Sequence, residues 1–170
     1  MQAPVTSFRI IACMYLPLLG ALAVRRFTEM DLVISAIISI VVIAVVAVVG
    51  DYLYIGIWYY FALPVIAYFI SFYMRPKRFF LSGVCLAISV SYIPYFYHNM
   101  TAINKDGLLG LGHVFSLFGM GLNILLAAWY AKNRQLNQYW LLGLGFISAA
   151  FGFVLNQAII CSTVMYCGIF

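Results

Sequence analysis

Apolar residues fill this chain in long runs, and short stretches of charged or turn-forming residues separate one run from the next. A helix needs ~20 apolar residues to cross a hydrocarbon core ~30 Å thick, because it rises ~1.5 Å per residue. Six segments meet that length: Ser7–Val24, Leu32–Gly50, Tyr52–Met74, Phe79–Tyr97, Leu108–Tyr130 and Trp140 to about Met165. The pattern therefore predicts an all-α integral membrane protein, a compact bundle of about six transmembrane helices with short loops. The whole chain, residues 1–170, reads as a single transmembrane domain. Its weakest boundary is Gly50-Asp51-Tyr52, read as a tight hairpin that glycine's backbone freedom permits. The last run is too long for one straight span, so its end from Ser162 is expected in the interface.

Composition excludes a water-soluble fold. Of the 170 residues 66% are hydrophobic and 8% charged, against ~45–50% and ~25% in soluble domains. Lipid must be the outer solvent. Arg9, the run from Ile10 and Ala21-Leu22-Ala23 imitate a secretory signal with a cleavage site. Arg25 and Arg26, directly after it, argue for a retained first span instead.

The charge is basic, +5, but it is dispersed at the ends of apolar runs and not gathered on one face as nucleic-acid binding requires. No nucleic-acid partner is expected. Arg25, Arg26, Arg75, Lys77, Arg78, Lys132 and Arg134 fall in alternate connections, leaving only Arg9 and Lys105 on the other side. Lys/Arg-rich loops mark the cytoplasmic side, so the N- and C-termini are expected on the outer side. The setting fits a multi-pass protein of a bacterial inner membrane. Tyr52, Tyr54, Trp58 and Tyr95–Tyr97 would then form the outer aromatic belt, and Trp129, Tyr130, Tyr139 and Trp140 the inner one. The basic loops read chiefly as topology determinants, with anionic head groups or a cytoplasmic partner as further uses. Asn104-Lys105-Asp106-Gly107 reads as a turn. Asn99-Met100-Thr101 is an N-glycosylation pattern on the outer side.

No Asp, Glu, Lys or Arg lies near the middle of a span, which disfavours an ion-coupled pump. The polar residues that are embedded concentrate in the last two spans. At ~100° per residue, His113, Ser116, Met120 and Asn123 share an arc of about 80°. Gly145, Ser148, Ala149, Gly152, Asn156 and Thr163 form a stripe about 100° wide on the final span. Small residues let backbones approach and polar ones bond across the contact, so this span is expected at the centre of the bundle. The second, nearly all Val, Ile and Ala with Ser35 and Ser39, is expected at its periphery. By helical rise, His113 and Asn156 reach similar depths in the outer half. Tyr92 and Tyr15 lie nearby, and Pro17, Pro64 and Pro94 free backbone carbonyls. These residues define an outward-opening polar cluster of His113, Asn156, Tyr92 and Gln157, with Asn123, Ser148 and Ser116 beside or below it. It is either a solute pocket or helix-packing glue.

Other chemistry is missing from the sequence. Cys13, Cys85, Cys161 and Cys167 lack metal or redox spacing, and on one continuous helix Cys161 and Cys167 lie about 120° apart, so no disulfide is expected. His98 and His113 do not make a matched haem pair. Met14, Met74 and Met120 read as core filler. No metal or other cofactor is expected. Tyr15-Leu16-Pro17 echoes Tyr92-Ile93-Pro94, too short a match to establish an inverted repeat.

Three function classes remain. The first is a small transporter or channel-like permease for a neutral or weakly charged solute. The alternative is a non-catalytic membrane binding protein, either a subunit of a larger complex or an immunity-type protein against a pore-forming toxin. An intramembrane enzyme is disfavoured. The lipid bilayer is the certain neighbour, and other membrane subunits or a homo-oligomer are the candidate partners.

Overall fold

A computed structural model describes residues 29–51, 53–76, 78–101, 108–134 and 136–163. Among them are five helices, each long and apolar enough to cross a membrane: α1 (Glu29–Val49), α2 (Ile57–Met74), α3 (Phe80–Thr101), α4 (Leu108–Asn133) and α5 (Gln138–Thr163). The expected first span, Ser7–Val24, lies outside the described residues, as do Arg25, Arg26, Lys77 and the turn at 104–107. Large side chains such as Trp58, Phe69, Phe72 and Tyr73 stand three-quarters or more exposed or nearly so. Such surfaces suit lipid, not water.

The run that forms α1 is rich in Val and Ile, which lower helix propensity slightly in water. In hydrocarbon the balance changes, since every backbone N–H and C=O must be bonded within the segment. The helix stops at Gly50, whose φ of 110° an L-residue rarely adopts. Asp51 then shapes the connection. Its carboxylate accepts from the N–H of Leu53 at 3.0 Å and of Gly56 at 2.6 Å, and from the Tyr60 hydroxyl at 2.7 Å. Consequently the expected hairpin at 50–52 is a longer loop, and the span expected from Tyr52 begins at Ile57. Leu53, within this loop, is fully buried.

At the opposite end of the bundle, Asp31 in the first turn of α1 is buried and caps another helix. Its carboxylate accepts from the N–H groups of Leu81 at 3.3 Å and Ser82 at 2.9 Å, and from the Ser82 hydroxyl. The first N–H groups of any helix lack intrahelical partners, and a negative charge there is favoured by the helix dipole. A second tie joins α1 to α2, where Ser35 Oγ and the Tyr68 hydroxyl lie 2.8 Å apart.

Two glycine contacts set the packing of the remaining helices. A Cβ on Gly83 of α3 would overlap the Leu142 carbonyl oxygen of α5, and one on Gly145 would overlap the Phe80 carbonyl of α3. Gly119 of α4 and Gly152 of α5 meet in the same reciprocal way. The small-residue stripe on α5 thus lies against both neighbours. Even so, α3 and not α5 is the most enclosed helix, with 61% of its apolar window buried against 28% for α5 and 17% for α1. The reason is circumferential: Ser82, Gly83, Cys85, Ala87 and Ser91 let α3 be approached from several sides, whereas Ile147, Phe151 and Val154 leave one face of α5 exposed.

Asn99, the first residue of the glycosylation pattern, is completely buried. One further expectation changes. Cys161 is disulfide-bonded, where no disulfide was expected. Cys85 is free and buried, and Met120 is buried in the core.

Candidate functional site

His113 lies one to two turns into α4 and has no exposed surface. Three helices supply its surroundings. Its Nδ1 is 2.6 Å from the Tyr59 hydroxyl of α2, and its Nε2 is 3.0 Å from Ser91 Oγ of α3. Ser91 donates its one hydroxyl hydrogen to the Ile88 carbonyl at 2.7 Å. With that hydrogen on the Ile88 carbonyl, the imidazole donates through Nε2–H to Ser91 and its Nδ1 accepts from Tyr59. The chain runs from Tyr59 through His113 and Ser91 to the Ile88 carbonyl, and its direction depends on the imidazole tautomer.

Aromatic rings close the sides. Tyr92 stacks on the imidazole at 5.1 Å and 17°, Tyr95 meets it edge-on at 4.8 Å, and Phe153 of α5 lies at 4.9 Å. Tyr60 packs on Tyr92 at 5.1 Å. Tyr95, expected in the outer belt, is instead buried in this cage. The Tyr92 hydroxyl is buried without a hydrogen-bond partner.

The other expected cluster members separate from His113. Ser116 Oγ contacts the Gly112 carbonyl at 2.8 Å and also the side-chain oxygen of Gln157 across the α4–α5 seam. Gln157 Nε2 donates to Cys161 Sγ at 3.3 Å, and Asn156 Nδ2 donates to the Phe115 carbonyl at 2.7 Å. Asn123 and Ser148 turn back onto their own helices, to the carbonyls of Gly119 and Gly145. His98 is exposed. So one phase-and-depth cluster becomes two: an imidazole cage spanning α2, α3, α4 and α5, and a polar seam between α4 and α5. Sequence reasoning missed Tyr59, Ser91 and Phe153, although the Tyr59-Tyr60 pair lies at a depth that suits His113.

Chemically the cage is closed. Its chain of hydrogen bonds ends on a backbone carbonyl, which can pass no proton onward, and among the described residues no carboxylate is hydrogen-bonded to the imidazole. Among the described residues, no group of three His, Cys, Asp or Glu could hold a metal. No family model, curated protein or solved structure matches this chain.

Of the basic-loop residues that are described, Lys132 and Arg134 are exposed, the latter 6.0 Å from the Tyr130 ring centre. Arg75 and Arg78 line a groove of about 1160 Å³ at the end bearing the α2–α3 and α4–α5 connections.

The tautomer assignment is testable. Tyr59→Phe is expected to cost about 0.5–1.5 kcal/mol, and His113→Ala, which also empties the cage, about 3 kcal/mol or more. Nitrogen NMR of the labelled imidazole should show the hydrogen on Nε2. Finding it on Nδ1 would refute the chain.

Proposed function

We propose that this protein is a non-catalytic membrane binding protein, either a subunit of a larger membrane complex or an immunity-type protein that meets a pore-forming toxin within the bilayer. The closure of the His113 cage carries this reading. A permease needs embedded polar groups that a solute can reach, and here the histidine has no exposed surface and both its nitrogens are satisfied internally. Such groups hold helices together, each bond contributing about 0.5–2 kcal/mol. What the fold offers to a partner is the lipid-side flanks of α1 and α2, whose apolar windows are each only 17% buried.

The reading includes six spans, with both termini outside and the basic loops in the cytoplasm of a bacterial cell. Support comes from two independent directions. The Lys/Arg asymmetry puts the α2–α3 and α4–α5 connections inside. The disulfide at Cys161, near the opposite end of α5, fits an oxidising outer compartment.

Purified protein in liposomes should pass no small neutral solutes, and extraction in mild detergent should retain a stoichiometric membrane partner. Saturable solute flux that Tyr59→Phe alters would instead favour the permease. Tags at both termini found in the cytoplasm would overturn the orientation.

A further inference from the structure

The groove at the basic end differs in chemistry from a second concave surface of the bundle. That surface, about 410 Å³ between α2, α3 and α4, is lined by Leu, Ile, Val, Phe and Met with no charged side chain. The larger groove is amphipathic. Leu32 of α1, Phe69 and Phe72 of α2, and Leu141 of α5 form apolar walls, while Arg75, Arg78, Asn137 and Gln138 stand where the helices end. Asp31, the acidic residue in its lining, accepts from the start of α3, while Arg75 and Arg78 are the basic residues of the lining.

Two local details set this mouth apart. Arg75 is held in the left-handed conformation, φ 50° and ψ 53°, with its N–H on the Ser71 carbonyl at 2.9 Å, and its side chain is exposed. Ser71 lines the groove too, and its hydroxyl has no hydrogen-bond partner. Elsewhere in these helices, serines such as Ser39, Ser89 and Ser116 bond the carbonyl four residues back, as embedded serines commonly do. An arginine pair where the candidate spans end, above apolar walls, has the polarity profile of an anionic phospholipid. Basic pockets between transmembrane helices on the cytoplasmic side bind anionic head groups in this way.

We propose that this groove binds an anionic glycerophospholipid, with its phosphate between Arg75 and Arg78 and its acyl chains along Leu32, Phe69, Phe72 and Leu141. The lipid would fill the opening between α2 and α5 and hold the two connections at the basic end together. This site rests on the orientation in the reading above, with the basic loops in the cytoplasm, and would persist in a permease or in a binding protein.

The test uses the full chain in dodecyl maltoside micelles, titrated with phosphatidylglycerol or phosphatidylcholine, with bound lipid counted by native mass spectrometry. At about fivefold per arginine, phosphatidylglycerol should bind roughly 25-fold more weakly to an Arg75→Gln/Arg78→Gln variant than to wild type. A Lys132→Gln/Arg134→Gln variant removes the same charge outside the groove and should keep wild-type binding. Arg75→Asn alone, suited to the left-handed backbone, covers the case in which the double variant does not fold, and it should lose about fivefold. Equal binding of the two lipids, or equal losses in both double variants, would overturn the proposal. Inorganic phosphate that competes as well as the lipid would show that the mouth takes a free anion.

Discussion

Gly83→Val is expected to leave no folded, monodisperse protein, and Gly83→Ala to lower stability by about 3 kcal/mol, at the upper end for overpacked sites. The cause is the partner's identity. The added carbon would meet the Leu142 carbonyl oxygen and lie 3.0 Å from the Phe146 nitrogen, both backbone atoms of α5, and backbone cannot rotate aside as a side chain can. Relief requires α3 and α5 to separate along their length. Gly143, on α5 itself, is the control, because a Cβ there meets nothing within 4 Å; Gly143→Ala should be neutral or stabilising by about 0.5–1 kcal/mol. Size-exclusion profiles after graded heating in detergent would rank the three variants. Similar profiles for Gly83→Ala and Gly143→Ala would mean that the two helices do not touch at this point.

Asp31→Ala should cost about 2–4 kcal/mol. Removing the carboxylate strands the buried N–H groups of Leu81 and Ser82, each worth about 1–3 kcal/mol when left unsatisfied. Asp31→Asn keeps an acceptor oxygen and should lose less, about 1 kcal/mol, reflecting the missing charge at the helix N-terminus. Thermal midpoints of the two variants against wild type would decide: an alanine variant as stable as wild type would remove Asp31 from the framework of the fold.

Much of the architecture was readable from hydropathy alone. Bilayer thickness fixes a minimum length of apolar run, and that constraint acts on each segment separately. The boundaries that slipped did so where one side chain reorganised the backbone around it. Asp51 reads in sequence as a charge interrupting two spans, yet it accepts three hydrogen bonds and displaces the start of α2 to Ile57. Asp31 likewise reads as a residue outside a span, because a sequence does not say that its partner lies some fifty positions away. The same limit divides the polar cluster. Phase and depth brought His113, Tyr92, Ser116, Asn156 and Gln157 to one region, but they carry no information about which helix faces which. Tyr59, Ser91 and Phe153 became neighbours of His113 only when α2, α3 and α5 were placed around α4.

The chain of bonds through His113 has a mechanical consequence. It pins three helices at a single level, through contacts of 2.6 Å and 3.0 Å on the two nitrogens of one ring. A slide of α4 by one residue, ~1.5 Å, would break two links at once, and a rotation of α2 or α3 would break one and unstack a ring. This level of the bundle therefore behaves as a rivet and not as a hinge. Motion imposed by anything that grips α1 or α2 must be absorbed by tilting this block as a unit, or by bending the loops beyond it.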